Sequence, residues 1–313
     1  MTFSCPASWC FLVASMIFTE AVLAEAYVIP PGNAGLVGRI ETITTFGQET
    51  LVDVARQYNL GHEEIRLANP EVEFWLLRDG TRVVLPRQHV LPEAKRQGIV
   101  LNVPEMRVYY FPQPCTADEN CEVLTFPVSI GRMDWQTPLG DTRVTQRVKD
   151  PSWTPPESIR QEAELEGRTL PAVVPPGPDN PMGAYALYLG LPGYRIHGTN
   201  RPSGVGMRVT HGCVRMYPED IEFLYEMVQV GTLVQIVSQE IKLGWHGDIL
   251  FMEVHPPLEE NFRPIESLKE EALLKLEEVA SVRPFTLVGR EFQQAFERLN
   301  GMPVPVGRAI RVD

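Results

Sequence analysis

Short β-type runs separated by prolines and glycines fill residues 97–238, and this pattern constrains the fold most. Apolar and β-branched runs between turn residues are typical of strands. The predicted strands cover residues 98–103, 106–111, 123–130, 142–148, 185–189, 194–197 and 232–237. One helix at 218–228 and a long proline-rich loop at 151–183 complete the region. Many short strands with one or two helices predict a mainly β domain.

Two smaller regions flank this domain. In residues 40–90, apolar residues at 51, 52, 54, 55 and 58 have the spacing of an amphipathic helix. A second short helix is predicted at 63–69, before Pro70, and strands at 40–44 and 81–85 complete a β-α-α-β unit. Residues 239–313 carry helical patterns at 265–279 and 291–300, which predict a helical C-terminal subdomain packed against the β domain.

The composition excludes several classes of function. The 313 residues include 40 acidic and 28 basic side chains, a formal net charge of −12. A general nucleic-acid binder needs a basic excess to pair with phosphates, and a polyanionic membrane surface favours the same excess. With 44% hydrophobic residues, the chain has the composition of an ordinary globular protein.

The first 26 residues have the features of an export signal. The run FLVASMIF at 11–18 is almost wholly apolar, and Ala24-Glu25-Ala26 offers small residues for cleavage before Tyr27. The run is too short for a confident membrane span. No Lys or Arg precedes it, so an uncleaved N-terminal anchor stays open beside the cleaved signal peptide.

Cleavage would leave three cysteines, which divide into a pair and a single residue. Cys115 and Cys121 lie six positions apart in a polar loop, and an exported compartment favours a disulfide between them. Two exposed thiols are the alternative. Cys213 has no partner, and an unpaired cysteine in an exported protein indicates either a buried thiol or a reactive one.

The neighbours of Cys213 favour the reactive thiol. A thiol at its ordinary pKa is mostly protonated at neutral pH, and an imidazole can take its proton. His197 ends a predicted strand 16 residues earlier, and His211 lies in the Thr-His-Gly-Cys turn. Gly212 allows successive backbone N–H groups to converge as an oxyanion site needs, and Arg215 can hold a substrate carboxylate or steady the thiolate.

Two other interpretations of these residues are open. A zinc site would use His197, His211, Cys213 and a fourth ligand such as His246, but the H-x-C spacing is unusual for zinc and no C-x-x-C occurs. A purely structural cluster is the second alternative, because buried histidines are commonly hydrogen-bonded core groups.

The same residues resemble a known family. IHGTN at 196–200, followed by THGCVRM at 210–216, is similar to the active-site signature of the YkuD-type L,D-transpeptidases. TPLG at 137–140, PSWTPP at 151–156 and the run from 170 to 183 resemble the Gram-negative branch of that family. The resemblance implies an L,D-transpeptidase catalytic domain of the β-sandwich type at 97–238, an enzyme without cofactor or metal, and a periplasmic location.

The resemblance also implies roles for individual residues. Cys213 would be the nucleophile and His197 the general base, oriented by the backbone carbonyl of Gly198. The backbone N–H groups of His211, Gly212 and Cys213 would form the oxyanion hole. Arg215, Thr199 and Asn200 would contact the substrate. The implied donor is a peptidoglycan tetrapeptide stem, attacked at diaminopimelate with release of D-Ala.

The β-α-α-β unit at 40–90 resembles the LysM module, which binds the N-acetylglucosamine backbone of cell-wall glycans. The match rests on the two helices and on IRLANP at 65–70, whereas FGQET at 46–50 departs from the usual opening. A packing domain without sugar binding is the alternative. The resulting order of segments is 1–26, 40–90, 97–238 and 239–313, which resembles the lipoprotein-anchoring members of the family.

This order favours the C-terminal lysine of a murein lipoprotein as acceptor. Three alternatives stay open: 3→3 crosslinking between diaminopimelate residues, hydrolytic release of wall-bound lipoprotein, and a catalytically inert cell-wall binding protein. The expected partners are peptidoglycan stem peptides and glycan strands, without nucleic acid and without a membrane span after signal cleavage.

Overall fold

The computed structural model describes residues 25–31, 35–116 and 118–310. The predicted signal peptide therefore lies outside the described residues, except for Glu25 and Ala26, which begin the first strand. Within the described part of the chain, no helix combines the length and apolar character needed to cross a membrane.

Strands dominate the structure. The strands are β1 (Glu25–Ile29), β2 (Leu36–Thr44), β3 (Arg82–Val90), β4 (Gly98–Asn102), β5 (Arg107–Phe111), β6 (Cys121–Pro127), β7 (Ile130–Gly131), β8 (Gly140–Lys149), β9 (Tyr185–Leu189), β10 (Arg195–His197), β11 (Arg208–Thr210), β12 (Val214–Arg215), β13 (Leu233–Val237), β14 (Ile241–His246), β15 (Ile249–Val254), β16 (Phe285–Leu287) and β17 (Val304–Ala309). The helices are α1 (Leu51–Gln57), α2 (His62–Ala68), α3 (Glu157–Leu165), α4 (Pro218–Met227), α5 (Ile265–Val282) and α6 (Gly289–Arg298).

The main sheet runs in the order β1-β6-β5-β4-β13-β8-β9-β10-β12. β4 and β5 are buried along their whole length, which explains their nearly continuous apolar sequences. Ile99 and Leu101 face one hydrophobic cluster together with α4, whereas Val100 and Tyr109 face another beneath β1. The predicted mainly β fold is confirmed, and its central strands have apolar cores on both faces.

The N-terminal unit has the predicted β-α-α-β order. β2 and β3 pair antiparallel over nine residues, and α1 and α2 cover them through a separate apolar core. Thr50 begins α1 because its hydroxyl accepts the N–H of Asp53 at 3.1 Å while the Asp53 carboxylate accepts the N–H of Thr50 at 2.9 Å. The buried Arg107 of β5 binds Glu64 of α2 at 2.6 Å, which fixes this unit to the main sheet.

The C-terminal segment contains more than the predicted helices. α5 and α6 are present, but they pack on a sheet of order β14-β15-β17-β16 that the helical prediction did not include. β14 and β15 form a hairpin around Gly247-Asp248, and Gly247 has φ of 58°. A two-residue Gly-Asp turn between apolar runs is a hairpin signal; the stronger helical periodicity of the neighbouring segments obscured it.

A buried charge network joins the three segments. The ammonium group of Lys242 on β14 lies 2.7 Å from Glu105 and 2.7 Å from Glu253. It also donates to the backbone carbonyl of Val90 at the end of β3, at 2.7 Å. Since a single cation meets two buried carboxylates and the end of the N-terminal unit, this network sets the mutual position of all three parts.

The candidate active site

Parallel pairing of β10 with β12 assembles the site. Ile196 is paired with Val214, and His197 with Arg215. Ile196 and Val214 both point into the hydrophobic core. Because side chains alternate along a strand, Arg195, His197, Cys213 and Arg215 lie together on the opposite face. The two predicted reactive residues, 16 positions apart in the sequence, are thereby brought onto neighbouring strands.

His197 is only 6% exposed. Its Nδ1 donates a hydrogen bond to the carbonyl oxygen of Gly198 at 2.7 Å. A carbonyl only accepts, so Nδ1 carries the proton and Nε2 is left as an acceptor. Burial lowers the pKa of His197 to about 3, and the positive charge of Arg215 adds to this effect, whereas the bond to Gly198 opposes it. The imidazole is therefore neutral at physiological pH.

Cys213 is a free, half-buried cysteine. Its Sγ lies 3.6 Å from the carbonyl oxygen of Gly193, which accepts the thiol hydrogen. Burial raises the pKa of this thiol, whereas the charges of Arg195 and Arg215 act to lower it. The resting site thus holds a neutral thiol beside a neutral imidazole, with two cations positioned for a thiolate.

The turn that carries Cys213 requires a glycine. Gly212 has φ of 92°, a conformation that other L residues rarely adopt. A Cβ there would lie 2.6 Å from Cε1 of Tyr194. Two threonine hydroxyls fix the turn: Thr210 donates to the carbonyl of Cys213 at 2.6 Å, and Thr137 donates to that of Gly212 at 3.0 Å. The carbonyls are held in place, and the N–H groups of the turn are fixed with them.

The side chain of His211 is held by the proline-rich segment. Its Nε2 lies 3.1 Å from a carboxylate oxygen of Glu162 on α3 and 3.1 Å from Nη2 of Arg132. Arg132 forms an ion pair with the same glutamate, and the ring of Trp135 lies 5.3 Å from the imidazole, centroid to centroid. Burial lowers the pKa of His211, although the charge of Glu162 opposes this.

Of the three predicted substrate-binding residues, Arg215 has a free hydrogen-bond donor among the described residues, whereas the side chains of Thr199 and Asn200 bind backbone groups. Arg215 has a buried Nε without a hydrogen-bond partner among the described residues, which leaves a donor available beside the thiol. The hydroxyl of the buried Thr199 accepts the N–H of Arg201 at 2.9 Å and so holds its own loop. The exposed Asn200 donates to the carbonyl of Asp179 at 3.0 Å and ties this loop to the end of the proline-rich segment.

Four site residues were absent from the sequence-based prediction: Arg195, Arg132, Glu162 and Trp135. Arg195 precedes His197 by two positions, and the period-2 alternation of a strand was the signal that places it on the same face. The other three meet His211 only through the fold of residues 130–165, for which the sequence gives no local signal.

The remaining sequence-based assignments have simple structural counterparts. The structure joins Cys115 and Cys121 by a disulfide, with a Cα–Cα distance of 5.3 Å. The four ligands of the alternative zinc site do not converge among the described residues. His246 ends β14, and the rings of His197 and His211 are bound to a carbonyl and to an ion pair.

Comparisons with known proteins identify the family of the chain. The YkuD L,D-transpeptidase catalytic domain family matches residues 96–236. The chain is 39% identical over 307 residues to the probable L,D-transpeptidase ErfK/SrfK of Escherichia coli strain K12, covering 95% of this chain and 96% of that protein. It is 41% identical over 245 residues to the probable L,D-transpeptidase YbiS of the same strain, covering 77% and 78%.

Similar solved structures include an L,D-transpeptidase. The alignment with L,D-transpeptidase 3 of Mycobacterium tuberculosis covers 70% of this chain and 100% of that protein, with 17% identity and a TM-score of 0.33. The near full-length identity to ErfK/SrfK and the match at 96–236 decide the assignment. This chain belongs to the YkuD family of L,D-transpeptidases and is an enzyme of that class.

Proposed function

We propose that Cys213 is the nucleophile and His197 the general base of an L,D-acyl transfer on peptidoglycan stem peptides. The observation that carries this proposal is the β10–β12 pairing, which places a neutral imidazole with a fixed tautomer on the same face as the thiol. The Gly198 carbonyl takes the role of the third group, since it orients the ring and stabilises the imidazolium that forms.

Acylation begins when Nε2 of His197 takes the thiol proton as Sγ attacks the carbonyl carbon of diaminopimelate. A tetrahedral oxyanion forms, and the N–H groups of the Gly212 turn are the proposed donors to it. Collapse of the intermediate breaks the C–N bond to D-Ala, whose amine leaves with the proton from His197. The product is a thioester on Cys213 and free D-Ala.

Transfer uses the same groups in reverse order. An acceptor amine attacks the thioester carbon and gives a proton to His197, the C–S bond breaks, and the proton returns to the sulfur. One peptide bond is exchanged for another, so neither ATP nor a metal ion enters the balance. The unpartnered Nε of Arg215 is the proposed contact for a carboxylate of the donor stem.

The proposed acceptor is the C-terminal lysine of a murein lipoprotein. Two observations support it. The segment order resembles lipoprotein-anchoring members of the family, and the chain is acidic, with a formal net charge of −12, or −10 without Glu20 and Glu25 of the proposed signal peptide, and so attracts a basic peptide end. Diaminopimelate and water are the competing acceptors, and they would give 3→3 crosslinks and tripeptide, respectively.

We further propose that the N-terminal unit binds glycan strands and that the protein acts in the periplasm after removal of its signal peptide. The glycan proposal rests on two loops at one end of the unit, joined by hydrogen bonds from Leu51 N to Phe74 O at 3.0 Å and from Gly80 N to Thr45 O at 2.9 Å. They expose Phe46 and Trp75 at 74% and 68%, and these aromatic side chains offer large apolar faces, which are the proposed contacts for the C–H faces of sugar rings.

Competition between acceptors tests the proposal. The mature protein is mixed with a disaccharide-tetrapeptide donor and equal amounts of a second tetrapeptide and a lysine-ended peptide, and products are identified by mass. The proposal predicts release of D-Ala and a donor-tripeptide joined to the lysine-ended peptide. A dimer of stem peptides would instead establish crosslinking, and free tripeptide alone would establish hydrolysis. An unconsumed donor would contradict the proposed donor.

A further inference from the structure

We propose that Arg195 is a further catalytic side chain, whose guanidinium stabilises negative charge on the Cys213 sulfur. This inference rests on the proposed nucleophilic role of Cys213 and extends it to a residue that the sequence motif does not include.

The backbone brings the two residues together. The register pairs Ile196 with Val214, and one step earlier Arg195, the first residue of β10, faces Cys213, which immediately precedes β12. Both residues lie on the face that points away from the hydrophobic core, because Ile196 and Val214 occupy the core face. A long cationic side chain on one strand therefore lies beside the thiol of its neighbour.

Contacts on three sides hold the Arg195 guanidinium in place. Tyr188, its register partner on β9, lies beneath it with the ring centroid 5.0 Å from Cζ. Nη2 donates to the carbonyl of Gly193 at 3.3 Å, and Nη1 lies 3.5 Å from Sδ of Met182. The Gly193 carbonyl is also the acceptor for the Cys213 thiol. The guanidinium and the sulfur thus converge on one oxygen atom.

The Nε atom of Arg195 has unused hydrogen-bonding capacity. It is buried and has no partner among the described residues. A buried N–H without an acceptor is costly unless the reaction supplies one. When the thiol loses its proton, the hydrogen bond from Sγ to Gly193 is lost, and the sulfur becomes an acceptor for the guanidinium beside it.

The charged groups around the sulfur favour this role. On β10 these are Arg195 and His197, and on β12 Arg215. The adjoining loop carries Arg201; burial and, after it, the charge of Arg201 lower the pKa of Arg215. His197 is neutral at rest. Burial has the largest effect on the Cys213 pKa and raises it. The charge of Arg195 has the next largest effect and lowers this pKa more than the charge of Arg215 does. Two cations, rather than a preformed imidazolium, therefore oppose the cost of burying a thiolate.

The test measures thiolate formation without substrate. Alkylation of Cys213 by iodoacetamide is followed by peptide mass spectrometry from about pH 6 to about pH 10 in the wild type, Arg195→Met and Arg195→Lys. Arg147→Met is the matched control. Arg147 lies on β8 of the same sheet, and its guanidinium also stacks on a tyrosine ring, that of Tyr225 on α4, with the ring centroid 4.3 Å from Cζ. Thermal unfolding of every variant verifies the fold.

We expect alkylation of Arg195→Met at neutral pH to be about three- to tenfold slower than that of the wild type. Loss of the cation raises the pKa of the thiol and so lowers the fraction of thiolate, and the higher intrinsic nucleophilicity of a more basic thiolate offsets part of this loss. Arg195→Lys should recover part of the rate, and Arg147→Met should leave it unchanged. An unchanged pH profile in a folded Arg195→Met would overturn the inference, even if donor turnover falls, because Arg195 would then act on the donor.

Failure of the proposed function would look different. If alkylation follows the expected order in these variants but no variant, wild type included, forms an acyl-enzyme with the tetrapeptide, then Arg195 tunes the thiol and the proposed donor is wrong. If the wild type acylates normally and the alkylation profiles coincide, only the role of Arg195 is wrong.

Discussion

His197 and Arg215 are register partners in the parallel β10–β12 pair, so a neutral imidazole and a half-buried cation lie side by side on the face that carries the Cys213 thiol. This relationship explains the electrostatics of the site. Burial and, after it, the Arg215 charge lower the pKa of His197 and keep the imidazole unprotonated, and the same charge favours the thiolate. One cation thereby favours both the neutral form of the proposed base and the ionised form of the proposed nucleophile.

The neutral state of His197 predicts an unusual pH dependence of kcat/KM on the acid side of neutrality. Because the pKa of His197 is lowered to about 3, the base stays deprotonated as the pH falls through the ordinary range for histidine. We expect kcat/KM for donor acylation to stay nearly constant between about pH 8 and about pH 5. A histidine with an ordinary pKa would lose about thirtyfold over that range. A midpoint near pH 6.5, in protein whose circular dichroism is unchanged, would contradict the burial argument.

Gly212→Ala should abolish acylation with a modest loss of stability. The new Cβ would collide with the Tyr194 ring at 2.6 Å and strain a residue with φ of 92°, so the turn that carries the nucleophile must shift. We expect a loss of at least about a hundredfold in acylation rate, the scale of a disrupted oxyanion site. Gly231→Ala is the control, because Gly231 has φ of 93° and open space around it. Equal loss in both variants would show that strain alone is responsible.

Glu162→Gln tests the attachment of α3 to the catalytic turn. The carboxylate binds both His211 and Arg132, and the amide removes the charge while it preserves the shape. We expect acylation to slow about fivefold, since a partly exposed ion pair contributes about 1 kcal/mol, with little change in the unfolding temperature. Glu164→Gln alters an exposed residue of the same helix and should have no effect. Wild-type acylation in Glu162→Gln would mean that this contact does not position the turn.

Asp220→Asn should stabilise the protein in a pH-dependent way. Burial raises the pKa of Asp220 from 3.8 to about 8, so the folded state holds a proton that the unfolded state has released. The cost to stability is absent below about pH 4, grows as the pH rises, and is complete above about pH 8. The amide avoids this cost, and its N–H₂ can donate to Oδ1 of Asn59, which lacks a partner among the described residues.

Urea unfolding at about pH 5 and about pH 9 measures this difference. We expect the variant to gain on the order of 1–3 kcal/mol at the higher pH, the usual cost of a buried unsatisfied polar group, and less at the lower pH. Asp141→Asn, on the exposed face of β8, is the control. An equal effect of Asp220→Asn at both pH values would show that Asp220 is ionised throughout.

The sequence predicted the parts of this molecule that depend on local patterns. Strand alternation and the THGC turn located the main strands, His197 and Cys213. Contacts between distant residues were beyond its reach: Glu162 meets His211 49 positions later, and no periodicity connects a proline-rich segment to a catalytic turn. Strand alternation places Arg195 on the same face as His197, but the family signature contains the histidine and the cysteine and not Arg195.

The C-terminal sheet illustrates a different limit. β14 and β15 are short apolar runs. β17 pairs with β15 only after α5 and α6 have intervened in the chain, and β16, which lies between these two helices, pairs with β17. A strand of three to six residues gives a weak pattern, whereas a helix of 18 residues gives a strong one. Predictions from periodicity therefore favoured the helices of this segment.

Intact-mass spectrometry of the protein with a disaccharide-tetrapeptide determines whether Cys213 is the nucleophile. We expect a covalent adduct on Cys213, with the mass of the donor minus D-Ala, in the wild type and in Cys115→Ser. We expect no adduct in Cys213→Ala, which should unfold at the wild-type temperature. An adduct in Cys213→Ala, or none in a folded wild-type protein that still consumes the donor, would contradict Cys213 as the nucleophile.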